Sequence, residues 1–268
     1  MPTIDVDAYF DRIQWSGPVR VDHATLAGLL RAHMRRIPFE NLDVLLGRPI
    51  RLDPEGLQDK LVRARRGGYC FEQASLFAGV LEALGFAPVR HSARVVLVAP
   101  RTASPRTHML LTVPLPEGTF VVDPGFGGLA SDAPLRLSAP DEEPPGDATH
   151  WLARDGPYTV LRARTDGKIV DCWVSTLEAD HEIDFIVANH YVSTHPESGF
   201  VNRLMLRALT DEGRVSAMNR EVTLRGPAGT RQFTLPDRAA LRALLAQHFG
   251  FDLPEVESLR VPSIEEWR

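Results

Sequence analysis

The chain has 268 residues, 44% of them hydrophobic and 24% charged, and carries a formal net charge of -5. These values describe a folded globular protein with a sizeable core, and they argue against disorder and against a nucleic-acid or anionic-membrane partner. No apolar run approaches the ~20 residues of a membrane-spanning helix, the N-terminus lacks a basic-then-apolar leader, and two cysteines, Cys70 and Cys172, give neither a disulfide framework nor a zinc site, so a cytoplasmic protein without metal is expected.

Residues 5–13 read as a short helix, and Asp22 is placed to cap a second one that turns Leu26, Leu29, Leu30 and Met34 toward a core before Pro38 ends it. Phe39-Glu40-Asn41-Leu42 reads as a turn, and Asp53 to Arg65 as a third helical segment. In Arg65-Arg66-Gly67-Gly68-Tyr69-Cys70-Phe71-Glu72-Gln73 two glycines permit a sharp turn, and from Cys70 to Leu84 apolar residues recur at helical spacing until Gly85. This puts Cys70 at a helix N-terminus, where unpaired N–H groups and the helix dipole favour the nucleophilic thiolate. A free cysteine is usually a small buried hydrophobe, so the assignment depends on partners elsewhere in the chain.

From Pro88 the period becomes that of strands, predicted over Ala93 to Ala99, Thr107 to Val113 and Thr119 to Asp123. Pro100 to Arg106 and the acidic Pro140 to Asp147 read as loops, and Trp151 to Ala163 and Ile169 to Thr176 as further strands of a barrel or sandwich. After Ser193-Thr194-His195-Pro196, strand-like Val222 to Leu224 and Gln232 to Leu235 flank a Gly-Pro-Ala-Gly turn. Pro236-Asp237 then opens a helix with Leu241, Leu244, Leu245 and Phe249 on one face, stopped by Gly250. The order is helices, then β-structure, then a mixed α/β tail.

A cysteine nucleophile needs a base and a group that orients the base. His108 and Asp123 lie on adjacent predicted strands, and they oppose one another if paired residue numbers sum to 231, which leaves Pro114 to Glu117 as a four-residue hairpin loop. Taken singly, a histidine in a strand such as His108 is more often a core residue, and an aspartate before Pro-Gly such as Asp123 more often a turn former. Together with Cys70 they favour a Cys-His-Asp constellation.

The motifs Arg66-Gly67-Gly68-Tyr69-Cys70-Phe71-Glu72, Ile37-Pro38-Phe39-Glu40-Asn41-Leu42, Thr107-His108 and Val122-Asp123-Pro124-Gly125-Phe126-Gly127, with Tyr191-Val192-Ser193-Thr194 and Phe200, resemble the arylamine N-acetyltransferases in order and spacing over nearly the whole chain. The resemblance implies an α+β multidomain fold with a cysteine-protease-like core. Its parts would be a helical bundle over 1–87 bearing the cysteine, a β-barrel over 88–190 bearing the histidine and aspartate, a linker over 191–205 and an α/β lid over 206–268. It implies a ping-pong reaction in which Cys70 takes acetyl from acetyl-CoA, a co-substrate rather than a bound cofactor, and passes it to an arylamine, arylhydrazine or arylhydroxylamine. His108 would be the base, Asp123 the orienting carboxylate, and Phe39, Thr107, Gly125, Phe126, Gly127 and Phe200 would line the acceptor pocket and acyl-CoA cleft. Ala74, where many members carry asparagine, and Pro124, where a small aliphatic residue is usual, depart from the pattern.

The chemistry of the residues agrees, because thioester exchange needs a sulfur that is both nucleophile and leaving group, and cysteine beside a protonated histidine suits it better than serine. Two other readings use the same residues. A cysteine hydrolase of the protease or transglutaminase type would end its acyl transfer in water, though the papain-like C-G-S-C-W signature is absent. A non-catalytic protein would keep only the ligand pocket.

Overall fold

The computed structural model describes residues 4–137, 149–264 and 267, and the predicted loop Pro140 to Asp147 lies outside them. The N-terminal part is helical: α1 (Val6–Ile13), α2 (His23–Arg36), α3 (Leu42–Leu45), α4 (Pro54–Leu57, continued by a π-helix over Gln58–Arg63) and α5 (Cys70–Ala83). Aspartate starts three of them: the side chains of Asp5, Asp22 and Asp53 accept the backbone N–H of Ala8, Thr25 and Gly56 at 2.8–3.0 Å, satisfying donors the helix leaves orphaned. Phe39-Glu40-Asn41-Leu42 is not a free turn. Phe39–Glu40 form a two-residue strand, β1, which pairs with a strand more than 160 residues away, and Leu42 begins α3.

Seven strands follow: β2 (Val89–Val95), β3 (Arg106–Leu115), β4 (Gly118–Val122), β5 (Leu135–Arg136), β6 (His150–Asp155), β7 (Tyr158–Thr165) and β8 (Lys168–Ser175). They hydrogen-bond in the order β5-β4-β3-β2-β8-β7-β6, with edges β5 and β6 in contact, so the antiparallel sheet curls into a nearly closed barrel. The first strand ends at Val95 rather than reaching Ala99.

The β3–β4 hairpin corrects the expected register. Leu111 pairs with Val122 and Leu115 with Gly118, so paired numbers sum to 233 and the loop is two residues, Pro116 and Glu117. The slip is by an even number, and strand side chains alternate with period two, so His108 and Asp123 keep a common face. They now sit diagonally rather than directly opposite.

Helix α6 (Glu182–Thr194) and the short α7 (Gly199–Asn202) come next, where sequence periodicity gave no helix, and α6 runs through the expected limit at residue 190. A second antiparallel sheet of order β1-β9-β10-β11-β12 completes the fold with β9 (Met205–Thr210), β10 (Gly213–Met218), β11 (Glu221–Gly226) and β12 (Gly229–Thr234). Helix α8 (Arg238–Leu244), capped by Asp237, packs on it with Leu241, Leu244, Leu245 and Phe249. One apolar core joins α1, α2 and α5 to β3 and β4 through Leu29, Phe77, Met109, Leu111 and Val122, and this places the start of α5 against the end of the hairpin.

Candidate active site

Cys70 is the first residue of α5, and the loop that delivers it is held by charge. Arg66 donates to Glu40 Oε1 at 2.6 Å and to Asp43 Oδ1 at 2.8 Å, while Lys60 Nζ reaches Asp43 Oδ2 at 2.9 Å and Glu72 Oε1 at 2.7 Å. Glu72 turns its other oxygen back to the Tyr69 N–H at 3.0 Å, fixing the residue before the cysteine. Burial pushes Glu72 up to about 7 against the pull of Lys60, as expected where three carboxylates share two cations out of water. Gly67 is required here: a Cβ on it would lie 2.2 Å from the Pro38 carbonyl oxygen.

Two buried groups face the helix start from the hairpin. His108 Nε2 meets Asp123 Oδ2 at 2.8 Å, which leaves Nδ1 as the ring nitrogen available to the thiol. Burial would lower the imidazole pKa, but the Asp123 carboxylate and Cys70 outweigh it and push His108 up to about 10, so the ring is held as an imidazolium at neutral pH. The Cys70 Sγ lies 3.7 Å from the Thr107 carbonyl oxygen. The β2–β3 register shifts between Ala93 and Arg94, which pair with His108 and Arg106, and so leaves Thr107 outside the ladder. A bulge of this kind re-aims neighbouring side chains. Here it frees a carbonyl toward the thiol and precedes the histidine.

The other predicted site residues gather around this group. Gly125 packs on the Cys70 backbone, and the Phe126 ring stands edge-on to the His108 ring with centroids 5.1 Å apart. Phe39 and Phe200 lie 6.2 Å apart, Phe200 is 5.3 Å from the Tyr69 ring, and a Cβ on Gly127 would be 3.6 Å from Phe39. Asn41 holds Phe200 in place by donating to the carbonyls of Phe200 and Arg203 at 2.8 and 2.7 Å and accepting the Met205 N–H at 2.8 Å. The half-buried rings of Phe39, Phe126 and Phe200 thus come to the same end of the barrel as the thiol. Arg101, a loop cation, pairs with Asp155 at 2.8 Å and stacks on Tyr158. Among the described residues no group of His, Cys, Asp or Glu is arranged to hold a metal ion, and no helix is long and apolar enough to cross a membrane.

A cysteine sulfur near an imidazolium that is paired with a buried carboxylate is an arrangement that can attack an activated acyl carbon and move a proton to the leaving group. Residues 22–258 match the model of a family described as N-acetyltransferase. The arylamine N-acetyltransferase of Mycobacterium tuberculosis is 39% identical over 267 residues, covering 94% of this chain and 91% of that protein, and that of Escherichia coli is 38% identical, covering 93% and 89%. The chain belongs to the arylamine N-acetyltransferase family. Among solved arylamine N-acetyltransferases, the M. tuberculosis structure superposes with a TM-score of 0.87 at 38% identity, each chain covered to 96%. The Mycobacterium marinum enzyme in complex with CoA gives 0.87 at 36%, each covered to 94%. As a member of this family the chain is an acyltransferase of α+β architecture.

Sequence reasoning missed two features of the site. Lys60, whose ammonium pairs with Glu72 in the first turn of the Cys70 helix, carries no motif signal. Trp173 on β8 reads as a core aromatic, yet its indole N–H points at Asp123 Oδ2 from 2.9 Å.

Proposed function

We propose that this arylamine N-acetyltransferase works through an acetyl-thioester on Cys70, with His108 as acid and base and Asp123 as the carboxylate that orients and charges it. The observation that carries the proposal is the His108–Asp123 contact at 2.8 Å, made by a ring that the Cys70 side chain also reaches. In the first half-reaction the sulfur attacks the acetyl carbonyl of acetyl-CoA, the bond to the CoA sulfur breaks, and the departing thiolate takes a proton from the His108 imidazolium. In the second, the amine nitrogen attacks the thioester carbonyl and gives up its proton to His108 as the bond to Sγ breaks, restoring the starting pair. Water, a poorer nucleophile than an arylamine toward a thioester, is disfavoured further where the site is apolar.

Phe39, Phe126 and Phe200 supply flat apolar walls for an aromatic acceptor, and Thr107, Gly125 and Gly127 line the approach to the sulfur. Acetyl-CoA is a co-substrate, and the CoA complex of the M. marinum enzyme supports it. Arylamines, arylhydrazines and arylhydroxylamines are the acceptor class; the Salmonella typhimurium relative is named for both N-acetyl transfer to arylamines and O-acetyl transfer to N-hydroxyarylamines. Residues 1–87, 88–190, 191–205 and 206–268 are read as helical bundle, barrel, linker and lid. Both cysteines are unpaired, and a reducing compartment such as the cytoplasm keeps Cys70 free to react.

Mixing the protein with acetyl-CoA and following free CoA with and without an aromatic amine tests the reading. Amine-dependent release is expected. Equal release without amine would mean a hydrolase, and no release a binding protein.

A further inference from the structure

Asp123 is buried, and a carboxylate out of water needs donors to hold its charge. Among the described residues two donors converge on one of its oxygens: His108 Nε2 at 2.8 Å and Trp173 Nε1 at 2.9 Å both reach Oδ2, while Oδ1 has no partner there. An indole is a donor only, so this contact exists solely to an acceptor and does not change with protonation.

The strand geometry that aims Trp173 repeats the one that aims His108. On β3 the register shift leaves Thr107 outside the ladder directly before His108; on β8 the pairing moves from Leu161–Trp173 to Arg162–Asp171 and leaves Cys172 outside directly before Trp173. Both side chains then share one face of the barrel wall, through Ala93, which pairs with His108, and Val95, which pairs with Trp173. Two bulges, each one residue ahead of a ring that bonds the same oxygen, are more than packing a tryptophan requires.

We infer that Trp173 is a positioning residue for the acyl transfer: its N–H pins Asp123 Oδ2 so that the carboxylate holds the His108 ring in line with Cys70 through both half-reactions. The inference rests on the triad reading above. Without the indole N–H the carboxylate keeps one donor among the described residues, His108 itself, and is free to turn about its last bond, so the ring loses its fixed reference whenever its charge changes.

The test removes the N–H with and without changing shape. Trp173→Phe and the replacement of Trp173 by β-(3-benzothienyl)alanine, which keeps the bicyclic outline, are compared with the wild type and with Asp123→Asn. The readouts are the single-turnover rate of CoA release and the pH profile of Cys70 alkylation by iodoacetamide. Both replacements are expected to slow acetylation about ten- to a hundredfold, the cost of a small misplacement of a reacting group, and to move the alkylation profile to higher pH in the direction of Asp123→Asn. A benzothienyl protein with wild-type rate and profile overturns the inference, even if Trp173→Phe is impaired, because only shape then matters. If Asp123→Asn also matches the wild type, the triad reading itself fails and takes the inference with it.

Discussion

Gly125 packs so closely on the start of α5 that a Cβ built on it would lie 2.6 Å from the Cα of Cys70 and 3.0 Å from its carbonyl oxygen. Both neighbours are backbone and cannot rotate aside, so Gly125→Ala must push the end of the hairpin away from α5. The expected result is a loss of about 1–3 kcal/mol of stability and at least a roughly tenfold slower acetylation, since the spacing of Cys70 and His108 changes. Gly128→Ala is the control, because its Cβ would meet only the flexible Arg207 side chain, at 3.1 Å. Thermal melts and single-turnover CoA release check both variants.

The two buried cysteines are expected to differ in reactivity. Burial and the nearby Asp123 and Asp171 carboxylates push the Cys172 thiol up to about 12, so it stays protonated and unreactive at neutral pH. Iodoacetamide at pH 7 is expected to label Cys70 and spare Cys172, and Cys172→Ala to keep full turnover. Peptide mapping after alkylation reads the first outcome and amine acetylation the second.

The buried ion cluster under the Cys70 loop contrasts with pairs at the surface. Arg66→Met leaves Glu40 and Asp43 short of a cation in the interior and is expected to cost about 3–5 kcal/mol, as for other broken buried pairs. In a chain of this size that lowers Tm by roughly 6–20 °C. Arg51→Met breaks an exposed pair with Asp53 at 2.7 Å and is expected to cost at most about 1 kcal/mol. Melting both variants side by side decides whether the cluster or the mere loss of an arginine matters.

His33 gives a pH dependence of known sign. Burial pushes it from 6.5 down to about 3, with its Nδ1 bonded to the Tyr9 hydroxyl at 2.8 Å. Because the folded value lies below the unfolded one, its contribution is complete above pH 6.5 and is lost as pH falls toward 3. In urea unfolding at pH 7, 5 and 4, the margin of the wild type over His33→Phe should shrink by at most about 1.4 kcal/mol per pH unit. A margin independent of pH would contradict the assignment.

Much of the site was legible because the signals were local. Asp22 and Asp237 cap helices where their sequence context predicts, and the Gly-Gly-Tyr-Cys turn starts a helix at Cys70. The pairing of His108 with Asp123 was inferred from a register that is wrong by two, yet the common face survived because only an odd slip would have separated them. What stayed hidden depends on distant segments. Helix α6 is apolar on several sides, with Phe185 and Val192 buried but Ile183 and Val187 exposed, so no helical stripe marks it. Strand β1 is two residues long and exists through its pairing with β9. Lys60 and Trp173 reach the site from elements whose local patterns carry no trace of it.

The central claim is that acetyl rests on Cys70 between donor and acceptor, and intact-mass measurement tests it most directly. After acetyl-CoA alone, the wild type should gain one acetyl group, mapped to Cys70, and lose it when an arylamine is added, while Cys70→Ala gains none. A protein that acetylates the amine without ever carrying the group, or that still carries it in Cys70→Ala, would contradict the account.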